Sequence, residues 1–427
     1  MSAVVKPSYK LTEVGLIPQD WAVSKIYNCC SKITDGTHDT PRSVESGIPF
    51  LTAIHVKDNF IDFASSLFVT PTDHAVIFRR CNPEKNDVLM VNIGAGVART
   101  AVVNVDYEFS LKNVALLKPA FKRITGSFLN YSLAQRKAKI IKDLSFGGAQ
   151  PFLSLKQIGE ILIPLPPSST EQEAIAEALS DADALIESLE QLITKKRQIK
   201  QGAMQELLTG KKRLPGFSGE WEVKRLGDLF SFSGGYSASR DQLSSEGHCY
   251  LHYGDIHGSS KMIIDAKDDY QNIPKLNIPL KRIASNSLLE DGDVVFVDAS
   301  EDDEGTSKYI VVVNKDDIPF IAGLHTIVAK SKTSELTHEY RRYCFQTADI
   351  HQQFLFFAVG TKVSGISKSN IPKLTLPVPP YPEQAAIAEI LIDMDTEIEV
   401  LEVKLEKARN IKHGMMHNLL TGKIRLV

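Results

Sequence analysis

The stretch that decides the fold runs from Glu171 to Leu214 and reads EQEAIAEALSDADALIESLEQLITKKRQIKQGAMQELLTGKKRL. It recurs from Glu383 to Leu426 as EQAAIAEILIDMDTEIEVLEVKLEKARNIKHGMMHNLLTGKIRL. The two copies align without a gap at an offset of 212 residues, and 26 of their 44 positions are identical. A repeat at a fixed offset governs the architecture of a chain, so the other features are placed relative to these two copies.

Apolar residues in each copy recur in alternating steps of four and three, which predicts a long helix with a seam for a partner helix. The seam consists of Ile175, Leu179, Ala182, Ile186, Leu189 and Ile193 in the first copy and Ile387, Leu391, Met394, Ile398, Leu401 and Leu405 in the second. Each copy begins with 20 residues that carry seven acidic and no basic side chains, and the remainder is strongly basic. A parallel pair would oppose like charges, so the pattern favours an antiparallel coiled coil. A gradient that only complements each helix dipole is the alternative.

Two blocks of similar organisation precede the two helices. The only tryptophans, Trp21 and Trp221, each begin an alternating strand pattern at the start of one block. Further strands, a helix near 125–142 or 335–356, a glycine-containing loop and a proline-rich step follow in the same order. The sequence therefore predicts an α+β fold in which two mixed α/β domains are joined by two long helices. These helices form an antiparallel coiled coil, and the arrangement is pseudo-two-fold symmetric.

Length and composition indicate a multidomain globular protein. The 427 residues exceed the usual size of one core, which favours two or three domains. No stretch approaches 18 uncharged apolar residues and the N-terminus lacks an apolar signal core, so we expect no membrane span, no secretion and a cytoplasmic location. The five cysteines form no CxxC pair, so neither a disulfide framework nor a metal site is expected.

The net charge of −3 is unevenly distributed. Residues 1–165 carry five more basic than acidic groups, whereas residues 215–378 carry five more acidic than basic groups. The first block suits a polyanionic ligand, and the second argues mildly against one.

Motifs for catalysis are weak throughout the chain. Residues 94–99 (GAGVAR) follow a strand, but they lack the third glycine of a dinucleotide loop and precede another strand instead of a helix. Val378 stands where the Pro-Pro-Tyr motif of amino-methyltransferases requires a polar side chain. The acidic run Glu301–Glu304 is more typical of a solvated loop than of a cation site. We therefore expect no catalytic residues and no bound metal.

Polar and basic side chains in the loops of both blocks suit contact with DNA, because Arg and Lys hydrogen-bond guanine and Asn pairs with adenine. In the first block the candidates are Asp35, Gly36, Thr37, His38, Lys57, Asn59, Arg79, Arg80, Asn92, Arg99, Lys112 and Asn113. In the second block they are Tyr236, Tyr253, His257, Ser300, Lys308, His325, Lys362 and Lys368. For each residue alone, a phosphate contact or an uninvolved surface position is the alternative. For His38, a hydrogen bond within its turn is favoured over contact with a base.

The order of these features resembles the specificity (S) subunits of type I restriction–modification systems. The resemblance is carried by Gly15–Pro18 with Trp21, Asp35–His38 followed by Thr40 and Pro41, Gly47–Leu51, Ile163–Pro167 with Glu171 and Gln172, Leu207–Gly210, and the equivalents in the second half. It covers nearly the whole chain, and its specificity lies in the order of the motifs in both halves.

The resemblance implies target-recognition domain 1 at residues 1–165, a conserved spacer helix at 166–210, target-recognition domain 2 at 211–378 and a second spacer helix at 379–427. Such a chain reads a bipartite, asymmetric double-stranded DNA target and catalyses nothing itself. Two modification (M) subunits that hold S-adenosylmethionine, and restriction (R) subunits that use ATP and Mg²⁺, would assemble on it. The chain itself would bind no cofactor. The acidic second block departs from this expectation.

Two other functions compete with DNA recognition. A self-contained DNA methyltransferase or nuclease would need a cofactor loop and a catalytic motif, which the sequence does not supply. A pure assembly scaffold without base readout would need neither, so only the pattern of methylation distinguishes it from a sequence reader.

Overall fold

The computed structural model describes residues 8–144, 151–259, 261–300, 307–358 and 364–426, with the backbone alone at 299, 300 and 364. Its contacts divide the chain into two units. Unit 1 comprises the residues up to Glu190 and those from Val403 onward, and unit 2 comprises Gln191–Glu402. Each unit therefore contains one block, the beginning of one long helix and the end of the other. The predicted division of the chain into segments 1–165, 166–210, 211–378 and 379–427 stays a prediction.

Unit 1 contains an antiparallel sheet with the strand order β4-β10-β7-β8 and a smaller sheet with the order β6-β5-β9. Its strands are β1 (Tyr9–Thr12), β2 (Gly15–Pro18), β3 (Ala22–Lys25), β4 (Cys30–Asp35), β5 (Ile48–Leu51), β6 (Leu67–Val69), β7 (Val88–Val91), β8 (Thr100–Val102), β9 (Ser110–Leu111), β10 (Val114–Pro119) and β11 (Leu162–Leu165). Its helices are α1 (Ile26–Cys29), α2 (Pro71–Cys81), α3 (Gly126–Leu144), α4 (Leu155–Glu160) and the first part of α5 (Ser169–Leu207).

Unit 2 contains a five-stranded sheet with the order β13-β22-β18-β20-β16 and a four-stranded sheet with the order β14-β17-β15-β21. Its strands are β12 (Glu222–Arg225), β13 (Phe230–Gly234), β14 (Leu243–Ser244), β15 (His248–Leu251), β16 (Ile263–Asp265), β17 (Lys275–Leu276), β18 (Val294–Val297), β19 (Ala299–Ser300), β20 (Tyr309–Val313), β21 (Phe320–Ala322), β22 (Thr326–Ser331), β23 (Ser364–Gly365) and β24 (Thr375–Val378). Its helices are α6 (Leu226–Leu229), α7 (Tyr253–Gly258), α8 (His338–Cys344), α9 (Ala348–Phe357) and the first part of α10 (Tyr381–Leu419).

The central strands of each unit are buried on both faces. In β7, Val88 and Met90 pack in the cluster that contains α3, whereas Leu89 and Val91 pack in the cluster that contains the smaller sheet. Successive residues of a strand point to opposite faces, so a strand between two layers must be apolar at every position. This geometry explains the runs VLMV in β7 and VVFV in β18, whose residues divide between two clusters in the same way. Each fully buried aliphatic side chain contributes about 1.5–3 kcal/mol.

The long helices α5 and α10 each contain 39 residues. Each ends seven residues before the end of its repeat. The reason is a turn in which Gly210 and Gly422 adopt φ values of 68° and 69°, a region that glycine enters without steric cost. At the other end of α5, Ser168 Oγ accepts a hydrogen bond from the Thr170 N–H at 3.1 Å.

The two long helices are antiparallel within each unit. In unit 1 the ion pairs that join the start of α5 to the end of α10 and the residues beyond it are Glu171–Arg425, Asp183–Lys412 and Glu190–Arg409. In unit 2 the pairs are Glu383–Arg213, Asp395–Lys200 and Glu402–Arg197, which are the same positions of the repeat. Acidic residues of one helix thus oppose basic residues of the other, as the charge pattern predicts. A coiled coil over the full length and the pseudo-two-fold symmetry stay predictions.

Most of the predicted seam is buried. The buried members are Ile175, Leu179, Ile193, Ile387, Leu391, Ile398 and Leu401. The half-buried members include Ile186, Leu189 and Leu405. Near Ile175 and Ile387, each long helix packs against a block as well as against the other helix. This follows because the two residues belong to hydrophobic clusters that also contain residues of the blocks.

The predicted helix near 125–142 is confirmed as α3, but the prediction of one helix at 335–356 is wrong. That segment forms α8 and α9, separated at Phe345–Thr347. The break occurs because Thr347 adopts an extended conformation and its side chain accepts a hydrogen bond from the Ile350 N–H at 3.3 Å. A threonine in this position starts a new helix instead of continuing the old one.

Candidate nucleic-acid interface

In unit 1, the loops that carry most of the predicted contacts meet at one end of the four-stranded sheet. We call this line of strand ends an edge. β4 and β7 end at this edge, whereas β8 and β10 begin there. The register fixes the arrangement, since Asp35 lies opposite Ala115 and Val91 lies opposite Val114. We name these residues the unit 1 edge: Asp35, Gly36, Thr37, His38, Asn92, Arg99, Lys112 and Asn113, with Arg80 from the end of α2.

A buried carboxylate forms the centre of the unit 1 edge. Asp35, with 8% of its side chain exposed, accepts a hydrogen bond from Arg80 Nη2 at 2.6 Å, and its other oxygen lies 3.2 Å from His38 Nε2. His38 Nδ1 donates to Asn113 Oδ1 at 2.8 Å, so this hydrogen bond joins two different loops. The hydrogen bond favoured within the turn of His38 itself stays a prediction. Hydrogen bonds to a charged partner are roughly twice as strong as neutral ones. The network therefore holds Arg80, His38 and Asn113 in place before a ligand binds.

The contacts of the turn that carries His38 explain the residue types found in it. A Cβ atom on Gly36 would lie 2.0 Å from the Leu111 carbonyl oxygen, so only glycine fits between β4 and the neighbouring loop. The Thr37 N–H donates to Leu111 O at 2.8 Å, and Thr37 Oγ1 accepts from the Asp39 N–H at 3.1 Å. Lys112 Nζ contacts the Thr40 hydroxyl. The turn is thus fastened to the loop that contains Asn113.

Asn92 and Arg99 belong to the unit 1 edge but lie below its surface. Asn92 is 4% exposed, and its backbone carbonyl accepts from the Leu153 N–H at 2.8 Å. Its Oδ1 atom has no hydrogen-bond partner among the residues that the structure describes. Arg99 is half-buried, and its backbone carbonyl accepts from the Val91 N–H at 2.9 Å. Asn92 therefore supports the loop, whereas the side chain of Arg99 is partly accessible to solvent.

The other three predicted residues of the first block are not part of the Asp35 network. Lys57 and Arg79 are exposed. Asn59 is turned inward, because its Nδ2 donates to Asp183 Oδ2 at 3.1 Å and its Oδ1 accepts from Asn130 Nδ2 at 2.6 Å. Asn59 therefore connects a loop of the first block to helix α5.

The corresponding strand ends of unit 2 gather a second set of side chains. β13 and β18 end at this edge of the five-stranded sheet, and β20 and β22 begin there. Gly234 lies opposite Ile327, and Val297 lies opposite Thr326. We name these residues the unit 2 edge: Tyr236, Asp298, Lys308 and His325, with Tyr253 and His257 from α7.

Aromatic and imidazole rings replace the guanidinium network at the unit 2 edge. His325 Nδ1 lies 3.1 Å from Asp298 Oδ1, and the Tyr253 ring meets the His325 ring edge-on with centroids 5.3 Å apart. Tyr253 also contacts the His257 ring at 6.1 Å, and Lys308 Nζ donates to the His257 carbonyl at 2.7 Å. The unit 2 edge therefore presents fewer fixed positive charges than the unit 1 edge, in agreement with the acidic composition of the second block.

Helix α7 is held in place by His252. The His252 Nδ1 atom accepts a hydrogen bond from the Gly254 N–H at 3.1 Å, and the Asp255 side chain accepts from the His252 N–H at 3.2 Å. Burial, reinforced by the positive charge of Arg240, holds the pKa of His252 below its ordinary value. The neutral ring therefore keeps Nδ1 available as an acceptor, and the cap orients Tyr253 and His257.

Of the three other predicted residues of the second block, only Lys368 has a described side chain. Lys368 lies at the opposite edge of the sheet, where it lines a shallow cleft of about 350 Å³ with Phe230, Lys332 and other residues. Only the backbone of Ser300 is described, in β19 paired with β23. Lys362 and the acidic run Glu301–Glu304 lie outside the described residues.

Asp298, Asp183 and Asp395 were missed by reasoning from the sequence. Asp298 follows β18 as Asn92 follows β7, so the matched order of the blocks was the available signal. Asp183 accepts from the Tyr131 hydroxyl at 2.8 Å and pairs with Lys412, and Asp395 accepts from the Tyr343 hydroxyl at 2.8 Å and pairs with Lys200. Burial, reinforced by these carboxylates, raises the pKa of both tyrosines and keeps them as donors. An offset of 212 residues relates every member of the two triads.

Burial raises the pKa of the Cys30 thiol to about 12 and that of Cys81 to about 11, so neither is a thiolate near neutral pH. Among the described residues, no group of three His, Cys, Asp or Glu side chains is arranged to hold a metal ion. Within the same ranges, no helix is both long enough and apolar enough to cross a membrane.

Comparison with known proteins gives a consistent result over the length of the chain. Residues 18–201 and 218–409 match the family model of the type I restriction modification DNA specificity domain. The chain is 26% identical over 441 residues to a putative type I restriction enzyme MjaX specificity subunit of Methanocaldococcus jannaschii, which covers 98% of this chain and 97% of that protein. It is 25% identical over 443 residues to the MjaVIII specificity subunit of the same organism, with 96% and 94% covered.

A solved structure shares the fold. The S subunit of a type I restriction–modification system from M. genitalium superposes with a TM-score of 0.58 at 16% sequence identity. The match covers 97% of this chain and 99% of that one. Similarity at this level of identity shows the architecture alone.

Proposed function

The chain belongs to the family of type I restriction–modification DNA specificity proteins, and from this premise we propose that its two units each read one part of a split, asymmetric DNA target. Within such a system the chain is the DNA-recognition subunit and has no catalytic role of its own. The finer claim, that readout is divided between the units, is supported by the geometry of the two edges.

The observation that carries the proposal is that equivalent strand ends present unlike side chains. The unit 1 edge offers a guanidinium, an imidazole and an amide held by Asp35. The unit 2 edge offers an imidazole held by Asp298 between aromatic rings. Base pairs differ in the pattern of hydrogen-bond donors and acceptors in the major groove, so two unlike edges favour two different half-sites. An asymmetric target follows from this difference.

The chain associates with DNA and with other subunits of a restriction–modification system. We further propose that two modification subunits bind it, one for each copy of the repeated helix. The two copies share 26 of 44 residues, so they offer two similar surfaces to one kind of partner. In this proposal the modification subunits hold S-adenosylmethionine, the restriction subunits use ATP and Mg²⁺, and this chain binds no cofactor.

An exchange of recognition blocks tests the proposal. The full chain is co-expressed with the modification subunits of its own system, and methylated adenines are mapped in plasmid DNA. Residues 22–160 are then replaced by the equivalent block of another family member. We expect one half of the methylated sequence to change and the other half to stay the same, because the second block is untouched.

The matched control replaces residues 222–372 instead, and we expect the other half of the sequence to change. An unchanged pattern in both chimeras would support a pure assembly scaffold. Methyl transfer by the purified chain without modification subunits would instead show a self-contained enzyme. Thermal unfolding of each chimera, measured in the complex, verifies that it is folded before the pattern is interpreted.

A further inference from the structure

Asn113 and His325 occupy the same position of the internal repeat. They are separated by 212 residues, the offset that relates the two long helices, and each directly precedes the second strand in the order of its sheet, β10 or β22. Other edge residues do not keep this offset, since β7 and β18 are separated by 206 residues. Both residues also have positive φ, at 51° and 57°. The same turn therefore projects a different side chain at the edge of each unit.

Among the residues that the structure describes, none accepts a hydrogen bond from the side-chain amide of Asn113. Because His38 Nδ1 donates to Asn113 Oδ1 at 2.8 Å, the orientation of the amide is fixed. Its Nδ2 group has no acceptor within the part of the chain that the structure describes. An amide held in this way presents N–H groups, which complement the acceptors N7 and O6 of guanine, N7 of adenine or O4 of thymine.

Within the described part of the chain, one ring nitrogen of His325 has no hydrogen-bond partner. The Nδ1–H group faces Asp298 Oδ1 at 3.1 Å, so in the neutral ring Nε2 carries a lone pair. His325 is about half exposed, and Nε2 has no partner among the residues described. The edge-on contact with Tyr253 at 5.3 Å restrains the ring. An acceptor in this position complements the N4 amino group of cytosine or the N6 amino group of adenine.

We propose that this turn position is a specificity-determining position of each recognition unit, where Asn113 reads a base with a donor and His325 reads a base with an acceptor. The inference deepens the proposed function and rests on it. Asp35, through His38, and Asp298 are positioning residues in this account, because they orient the reading side chains without reaching the DNA.

Substitution by glycine tests the position with little change to the backbone. Glycine adopts positive φ freely, so Asn113→Gly and His325→Gly remove the side chain while the turn is kept. The full chain is co-expressed with its modification subunits, and methylated adenines are mapped in a plasmid library of random sequence. For Asn113→Gly we expect discrimination at one base pair of one half-site to fall by about 5- to 100-fold. For His325→Gly we expect the same loss in the other half-site only.

The matched control is Lys122→Gly, which alters an exposed residue with φ of 61° at the opposite edge of the unit 1 sheet. It should leave the pattern unchanged. Asn113→Asp supplies a second variant if the glycine variant does not fold, because it keeps the side-chain shape and replaces donors by acceptors. It should change the preferred base instead of lowering methylation of all sites.

Two results would overturn the inference. One is an unchanged base preference in the folded Asn113 and His325 variants. The other is an equal loss of methylation at all sequences, which would assign the position to phosphate contact or to folding. If the proposed function itself is wrong, the methylation map of the unmodified complex will show no sequence preference in one or both halves. The two failures are therefore distinguishable in the same experiment.

Discussion

Asp35 shows how a single buried residue prepares a surface for recognition. Its carboxylate accepts from Arg80 and lies beside His38, and His38 in turn holds Asn113. A flexible arginine loses conformational freedom when it binds a base, and a carboxylate that already holds it removes part of that cost. In the proposed interface, the residues that would contact DNA and the residue that orders them are thus different, and only the second must be buried.

Arg80 and Arg79 form a natural comparison, because they are adjacent on α2 and both exposed, but only Arg80 is held by Asp35. We predict that Arg80→Lys lowers selectivity for the target about tenfold, since lysine keeps the charge but loses the planar fork that pairs with guanine O6 and N7. Arg79→Lys should leave selectivity unchanged. The measurement is binding of the complex to target and non-target DNA by fluorescence anisotropy.

The salt dependence of the same binding curves provides the control. Both substitutions preserve charge, so the slope of affinity against salt concentration should stay the same in both variants. Equal selectivity in Arg80→Lys and the unmodified complex would show that Arg80 contacts phosphate only. A loss of selectivity in Arg79→Lys would show that selectivity does not depend on the preorientation of an arginine by Asp35.

The residue types at the edges could be predicted from the sequence, but their partners could not. Loops next to apolar strands carry the polar side chains, so the sequence predicts Thr37, His38, Lys112 and Asn113 as DNA contacts, which stays a prediction. His38 and Asn113, however, are 75 residues apart, and only the register of β4 against β10 brings them together. The partner of Asn59 is hidden from the sequence for the same reason, because Asp183 lies 124 residues away on α5.

At the scale of elements, the repeated helix illustrates which features a sequence specifies. The period of the apolar residues and the acid-to-base gradient depend only on local spacing, and both correspond to the observed antiparallel pairs. Helix ends depend on a competition between the helix and the turn that follows, so each long helix stops before the end of its repeat. The same competition divides α8 from α9 at Thr347.

The ends of the long helices are fastened by buried ion pairs. Glu171, with 1% of its side chain exposed, pairs with Arg425, and the bond to this carboxylate raises the pKa of Arg425. We predict that Arg425→Ala lowers the free energy of unfolding by about 3 kcal/mol, because it leaves a buried charge without its partner. Arg409→Ala should cost less than about 1 kcal/mol, since the Arg409–Glu190 pair is half exposed on both sides.

Urea unfolding followed by circular dichroism measures both costs, and hydrogen exchange in α5 locates them. Replacement of both partners, Glu171→Gln with Arg425→Ala, should restore part of the loss, because no unpaired charge then stays buried. If Arg425→Ala costs no more than Arg409→Ala, the buried pair does not fasten the helix. If the double replacement costs more than the single one, the loss comes from packing and not from charge.

For the whole molecule, net charge decides how much of the DNA affinity the chain can supply. The chain carries a net charge of −3, and the basic excess of the first block is matched by the acidic excess of the second. Affinity for DNA arises largely from cations released when basic groups neutralise phosphates, so we expect a chain with this balance to make few such contacts. The units can select a sequence while the partner subunits supply most of the electrostatic attraction.

We therefore predict that the chain alone binds DNA weakly and with a shallow dependence on salt. Each neutralised phosphate changes the slope of log affinity against log salt concentration by about 0.9, so we expect a slope of about −2 to −4 for the chain alone. Addition of modification subunits should steepen the slope by at least about 3 and raise affinity at low salt, because their basic groups add phosphate contacts. Titrations at four salt concentrations measure both slopes. If slope and affinity are equal with and without the partners, this acidic chain neutralises the phosphates itself. The idea that this chain selects the sequence while the partner subunits attract the DNA would then be wrong.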